Sequence, residues 1–230
     1  MSTKQFFRTR KQQTITSSSS IVDDIAIVGM ACRFGGGVDS LNDFWNTLLS
    51  GNDCLEEVPK ERWDIDSYYD AEIKPGKINT RRGGYLKRHV ELFDNDFFHI
   101  TASETKDMDP QQRLLLEEAW AACHDAGLRL DDSQREKKTG VFVGISHQEF
   151  GKHYKSLNDK VTVYDATGAS NCIAANRISY ALDLVGPSVA MDTACSSSLV
   201  AFDYATQSIA TGGCNDAIVA GVNLMLRPDT

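Results

Sequence analysis

A cysteine between a short apolar run and an apolar-periodic segment constrains this chain more than any other feature. The run at residues 188–191 predicts a short buried strand. After the cysteine, apolar residues recur at three- and four-residue steps and predict a helix: Leu199, Phe202, Ala205 and Ile209. Cys195 therefore lies where a strand turns into a helix, and the positive end of a helix dipole favours an anion such as the nucleophilic thiolate. The residues alone leave two interpretations open, a nucleophile and a buried structural cysteine.

Strand and helix patterns alternate along the rest of the chain. Apolar runs predict strands at 24–30, 139–146 and 216–226. Helix signals follow Ser40, Asp109 and Ser170, and glycines end the first two helices. Gln112 fits a capping box at the second of these helices. The alternation predicts an α/β layered domain, and no G-x-G-x-x-G follows the first strand to indicate dinucleotide binding.

Charge and cysteine content narrow the classes of function. The 230 residues carry a formal net charge of −8, which argues against nucleic acid as the main partner. No apolar run approaches the roughly 20 residues needed to cross a membrane, so no membrane partner is expected. The six cysteines show no C-x-x-C pair and no histidine at zinc-site spacing, so we expect reduced thiols, no metal site and a cytoplasmic protein.

The first 22 residues differ in composition from the rest. They contain Lys4, Arg8, Arg10 and Lys11, no acidic residue, and a run of four serines at 17–20. This composition predicts a disordered basic leader over residues 1–22, followed by a folded unit over 23–230. An organelle transit peptide is an alternative interpretation of the same residues.

Several motifs of this sequence resemble, in the same order, motifs of the β-ketoacyl synthase (ketosynthase) domains of polyketide synthases and animal-type fatty acid synthases. These motifs are residues 25–34, 108–116, 175–180, 186–188, Asp192-Thr-Ala-Cys-Ser-Ser-Ser-Leu199 and 221–224. The sequence departs from the family pattern at 35–37, 100–104 and 212–214, and none of these departures touches Cys195.

The resemblance implies a thiolase-like layered fold, of which this chain is the N-terminal half only. It implies that Cys195 is the catalytic nucleophile, that its backbone N–H is one oxyanion donor, and that no cofactor is bound by this domain. By the same resemblance, the substrates are expected to be thioesters on the phosphopantetheine of an acyl carrier protein, with a malonyl-type extender condensing with the acyl-cysteine after losing carbon dioxide. It also implies a homodimer whose contact includes residues 167–191.

Two alternatives to a condensing enzyme remain. One is a catalytically incomplete fragment, because the five histidines at 89, 99, 124, 147 and 153 lie in none of the family's histidine motifs. Such a truncated chain would leave the apolar surface of 216–226 uncovered and promote aggregation. The other is a cysteine-dependent acyltransferase or thioesterase. The basic residues between 74 and 88 are interpreted either as a docking surface for an acidic carrier protein or, with more support, as a solvated loop.

Overall fold

A five-stranded sheet lies between two layers of helices in the computed structural model, which describes residues 2–9, 24–128, 138–153 and 161–228. The strands are β1 Ser2–Thr9, β2 Ile25–Arg33, β3 Glu56–Glu57, β4 Arg82–Gly83, β5 Thr139–Ile145, β6 Ser188–Met191 and β7 Asp216–Val222. The helices are α1 Leu41–Ser50, α2 Ile65–Tyr68, α3 Ala102–Asp107, α4 Pro110–Asp125, α5 Phe150–His153, α6 Asp165–Ala169, α7 Asn171–Ala181 and α8 Ser197–Ala210. No helix in these described ranges is long and apolar enough to cross a membrane.

The order of strands in the main sheet is β2-β1-β7-β5-β6, and β3 pairs with β4 in a separate small sheet. Strand β5 is parallel to both β7 and β6. Side chains alternate between the faces of a strand, so each central strand serves two cores. Val141 and Val143 of β5 pack with α4 and α7, whereas Phe142 packs with α8. The predicted α/β layered fold is therefore confirmed.

The prediction of a disordered leader over residues 1–22 is wrong for its first part. The backbone of Ser2–Thr9 forms β1, antiparallel to β2 on one side and to β7 on the other. Backbone hydrogen bonds to two neighbouring strands stabilise an extended segment whatever its charge, and the composition argument took no account of them. Residue 1 and residues 10–22 lie outside the described residues.

Three further expectations about burial are wrong. Strand β6 is an edge strand with Val189 39% exposed, because β5 is its one partner among the described strands. Leu199 is 71% exposed, since the face of α8 that carries it points away from the sheet. The last strand ends at Val222, and every one of its residues is buried because β7 lies between β1 and β5 with helices on both faces. The surface of β7, predicted to be uncovered, is therefore covered.

The start of α4 ties four segments together with buried polar side chains. The Asp109 carboxylate accepts from the Gln111 N–H at 2.8 Å, which confirms Asp109 as the helix cap. Gln112 does not form the predicted capping box. Its amide donates to the Gly168 carbonyl at 3.1 Å and accepts from Arg177 Nε at 2.9 Å, because α6 and α7 pack over this end of α4. A buried amide satisfied on both sides holds these elements in one arrangement.

We expect the free energy of unfolding to fall as the pH rises from about 4 to about 6, because of Asp109. Burial raises the pKa of this carboxyl to about 6, and hydrogen bonds from Gln111 oppose the rise only in part. In the unfolded chain an aspartate titrates near pKa ~3.9. The folded state therefore holds a proton that the unfolded chain has released over this interval, which stabilises the folded state at the acid end by roughly 3 kcal/mol.

Asp109→Asn keeps an oxygen for the Gln111 N–H and should remove this pH dependence, measured by urea unfolding at several pH values. The matched control is Asp64→Asn, at the exposed cap of α2. If the slope of stability against pH is the same in Asp109→Asn as in the unmodified chain, the interpretation is wrong.

Candidate active site

Cys195 lies in the tight turn between β6, which ends at Met191, and α8, which begins at Ser197. Ala194 adopts a left-handed conformation with φ of +56°, which costs a non-glycine residue about 1–2 kcal/mol. The Asp192 carboxylate accepts from the Ala194 N–H at 2.9 Å and closes the turn locally. The strand–turn–helix position predicted for Cys195 is confirmed.

Two glycines bring the start of α8 against the sheet. Gly144 of β5 and Gly221 of β7 are partners in the parallel register. A Cβ at Gly144 would lie 2.5 Å from the backbone nitrogen of Ser198, and a Cβ at Gly221 would lie 2.6 Å from Ser198 Cβ. Any larger side chain at either position would push the helix, and the turn before it, away from the sheet. The sequence analysis included Gly221 only as part of the family motif at 221–224 and did not identify Gly144, although both glycines interrupt apolar strands.

Serine hydroxyl groups form hydrogen bonds with the backbone of the turn, on the side that faces the rest of the protein. Ser197 Oγ donates to the Ala194 carbonyl at 2.7 Å and accepts from the Thr193 N–H at 2.8 Å. Ser146 Oγ, just after β5, lies 3.1 Å from Ser197 Oγ and 3.3 Å from the same carbonyl. Ser196 Oγ donates to the Thr193 carbonyl at 2.7 Å. Ser197 is buried, so its own bonds are partly shielded from water, whereas the bond from Ser196 is exposed.

Cys195 itself is exposed, two residues before the first residue of α8. Within the described part of the chain, no hydrogen bond uses its backbone N–H. The interpretation of Cys195 as a buried structural cysteine is therefore wrong. Four of the other five thiols are buried or half-buried: Cys32, Cys54, Cys123 and Cys214. Burial raises the pKa of Cys32 to about 11, with nearby Glu118 adding to the rise, and burial also raises the pKa of Cys214.

An exposed carboxylate accompanies the cysteine. Hydrogen bonds from the Ala194 N–H and from Ser146 lower the pKa of Asp192, and the nearby imidazole of His147 adds to the lowering. His147 is exposed. Elsewhere, His89 pairs with Glu91 and His124 stacks on Trp120. Among the residues that the structure describes, no histidine is hydrogen-bonded to Cys195.

Four of the six basic residues between 74 and 88 are paired with acids of the chain itself. Arg81 contacts Glu57 and Asp66, and Arg82 contacts Asp53. Further pairs join Lys74 to Asp70 and Arg88 to Asp39. This pairing supports the interpretation of a solvated loop over that of a docking surface. No group of three or more potential metal ligands occurs within the described ranges.

The family model for the β-ketoacyl synthase N-terminal domain matches residues 22–230. A mycocerosic acid synthase-like polyketide synthase of Mycobacterium tuberculosis is 41% identical over 219 residues, which are 95% of this chain and 10% of that protein. A component of the phenolphthiocerol/phthiocerol polyketide synthase of the same species is 41% identical over 215 residues, or 93% of this chain and 14% of the relative. The chain thus spans a small part of these curated relatives.

Solved ketosynthase domains share the fold. The oxazolomycin ketosynthase domain of Streptomyces albus superposes with a TM-score of 0.79 at 38% identity, over 90% of this chain and 36% of that one. The ketosynthase from module 6 of the bacillaene synthase of Bacillus subtilis gives a TM-score of 0.75 at 39% identity, over 89% of this chain and 32% of that one. The likeness therefore covers nearly all of this chain and about a third of each solved domain. The turn with its exposed cysteine, the thiolase-like fold around it and these matches lead to one conclusion: the chain belongs to the β-ketoacyl synthase family, and its relatives are ketosynthase domains of polyketide synthases.

Proposed function

We propose that Cys195 accepts an acyl group from a thioester on the phosphopantetheine arm of an acyl carrier protein. The observation that carries the proposal is an exposed cysteine at a tight strand-to-helix turn whose own backbone N–H has no partner within the described residues. The helix that follows directs its positive end at the turn, which favours a thiolate and any negative charge that develops beside it.

The acylation step uses groups that this chain supplies. The Cys195 thiolate attacks the thioester carbonyl carbon, and the carbonyl π electrons move onto oxygen. The free N–H of Cys195 donates to that oxyanion. When the carbonyl re-forms, its bond to the phosphopantetheine sulfur breaks, and the departing thiolate takes a proton from solvent. The acyl group remains as a thioester on Cys195, still activated for a second transfer.

Condensation is the second half of the proposed reaction. A malonyl-type thioester loses carbon dioxide, and its carbanion attacks the acyl-cysteine carbonyl and releases the Cys195 thiolate. Stabilising that carbanion needs further donors, and no described histidine is hydrogen-bonded to Cys195. Since the chain spans about a third of the solved ketosynthase domains, we propose that residues 1–230 alone do not condense. That no described histidine is hydrogen-bonded to Cys195 also weighs against an independent thioesterase.

We further propose that the complete ketosynthase domain is a homodimer joined near β6. Among the described strands, β6 pairs with β5 alone and lies at the edge of the sheet. Apolar side chains are exposed around it, with Val185 at 71% and Tyr180 at 90%. An unprotected strand edge beside apolar side chains favours pairing with a second copy.

Cys195 should be the first thiol alkylated by iodoacetamide in the folded chain. It is exposed at a helix N-terminus, whereas Cys32, Cys123 and Cys214 are buried. Peptide mass spectrometry after brief labelling measures the order. Cys172 is the matched comparison, because it is also exposed and lies in the first turn of a helix, α7, but not in a tight strand-to-helix turn. Faster labelling of Cys172, Cys32 or Cys214 would contradict the proposed role.

Residues 1–230 should form an acyl-protein from an acyl-phosphopantetheine thioester and should give no β-ketoacyl product with malonyl carrier protein. Intact-protein mass spectrometry follows acylation, and small-molecule mass spectrometry follows the product. Cys195→Ala should abolish acylation because the acceptor sulfur is gone. Acylation that persists in Cys195→Ala would refute the proposed nucleophile. Condensation by the unmodified chain would refute the proposal that residues 1–230 alone do not condense.

A complete ketosynthase domain that contains this chain should scatter light as a dimer at micromolar concentration. Val189→Lys places a charge on the half-exposed edge strand and should shift the protein to monomer. Leu48→Lys on α1, which is also exposed, is the matched control and should leave the dimer intact. A monomeric unmodified domain, or a dimer unaffected by Val189→Lys, would count against this contact.

A further inference from the structure

We propose that Ser197, supported by Ser146, is a positioning residue that sets the direction of the Cys195 N–H. The inference rests on the proposed acylation of Cys195 and adds the residues that orient its oxyanion donor. Neither serine touches the acyl group. They act on the peptide unit that joins Ala194 to Cys195.

The argument begins with the geometry of that peptide unit. A peptide bond is planar, and in its trans form the C=O and the N–H point in opposite directions. The structure contains no cis peptide bond in the described residues. The Ala194 carbonyl and the Cys195 N–H belong to one such unit, so fixing the direction of the carbonyl fixes the direction of the N–H.

The Ala194 carbonyl is held on the protein side of the turn. It accepts from Ser197 Oγ at 2.7 Å and from the Ser197 backbone N–H at 3.1 Å. Ser146 Oγ lies 3.3 Å from the same oxygen, and Ser197 is buried. The Cys195 N–H must then point away from these groups, toward the exposed side of the turn where a substrate would approach.

The left-handed conformation of Ala194 explains why the carbonyl needs these bonds. A non-glycine residue at φ of +56° is strained, and relaxing this angle turns the peptide units before and after Ala194 relative to each other. Ser197 Oγ opposes that rotation because it bridges the two peptide units that flank the Thr193–Ala194 unit. It accepts from the Thr193 N–H at 2.8 Å while it donates to the Ala194 carbonyl. Without the hydroxyl, the Ala194 carbonyl keeps the Ser197 backbone N–H and Ser146 as donors, and the direction of the Cys195 N–H is held less firmly.

Acylation and alkylation of Cys195 separate this role from a general effect on the fold. Attack on a thioester creates an oxyanion, whereas attack on iodoacetamide displaces iodide at a saturated carbon and creates none. A group that only orients the oxyanion donor should therefore affect the first reaction and spare the second. Loss of a whole oxyanion donor costs roughly 10²–10³ in rate.

We expect Ser197→Ala to slow acylation of the 230-residue chain by an acyl-N-acetylcysteamine thioester about 10- to 100-fold. Alkylation of Cys195 by iodoacetamide should change by less than about threefold, because it needs no such donor. Ser146→Ala should slow acylation less, since its oxygen is farther from the carbonyl. The double variant should fall short of the product of the single effects, because both hydroxyls support one carbonyl.

Ser198→Ala is the matched control. It removes a hydroxyl one residue farther along, and this hydroxyl has no hydrogen-bond partner among the described residues. Both of its rates should equal those of the unmodified chain. Equal acylation rates for Ser197→Ala and the unmodified chain would overturn the inference, and so would a parallel fall of both reactions. An unmodified chain that is alkylated at Cys195 but never acylated would overturn the proposed function together with it.

Discussion

The close approach of α8 to the sheet is the constraint on which the rest of the site depends. Two glycines in register, Gly144 and Gly221, leave only hydrogen atoms where the helix begins. The first turn of α8 therefore rests on the backbones of β5 and β7. A helix seated there can be reached from β6 only through a short turn, and the short turn requires the left-handed backbone at Ala194.

The same approach allows β5 to contribute to the turn. Because α8 lies directly on β5, the residue that follows this strand, Ser146, comes within 3.1 Å of Ser197 Oγ. Two segments distant in sequence thus meet around one carbonyl oxygen. This polar contact carries no uncompensated desolvation penalty, since each buried oxygen of the group has a hydrogen-bond partner. Strain at Ala194 is offset by bonds that also keep one side of Cys195 open.

Apolar periodicity and the family motifs predicted the α/β layers, the strand-to-helix turn and the position of Cys195, because these depend on local patterns along the chain. What could not be predicted depends on partners distant in sequence. Strand β1 is stabilised by backbone bonds to β2 and β7, which composition does not encode. The exposure of Val189 follows from the place of β6 at the sheet edge. Gln112 matched a local capping pattern, but in the packed structure its amide forms hydrogen bonds with Gly168 and Arg177 instead.

Hydrogen bonds, together with the chain bond between Ser146 and His147, link the start of α4 to the turn at Cys195. Gln111, next to the cap Asp109, donates to the His147 carbonyl at 3.0 Å and accepts from the Leu224 N–H at 3.3 Å. It thereby fixes the segments that follow β5 and β7 at the same end of the sheet. His147 directly follows Ser146, so the residue that supports the Ala194 carbonyl is itself held by the α4 cap.

This arrangement explains why the motif around Asp109 and the motif around Cys195 occur in one sequence. The first has no hydrogen bond to Cys195 among the described residues, and its side chains are buried beneath the segments that contact the turn. Its physical role is to hold those segments at the spacing that the glycine pair allows. The position of the turn before the exposed thiol then depends on an amide and a carboxyl buried in the core, since Gln111 holds the segment in which Ser146 lies and Asp109 accepts from Gln111.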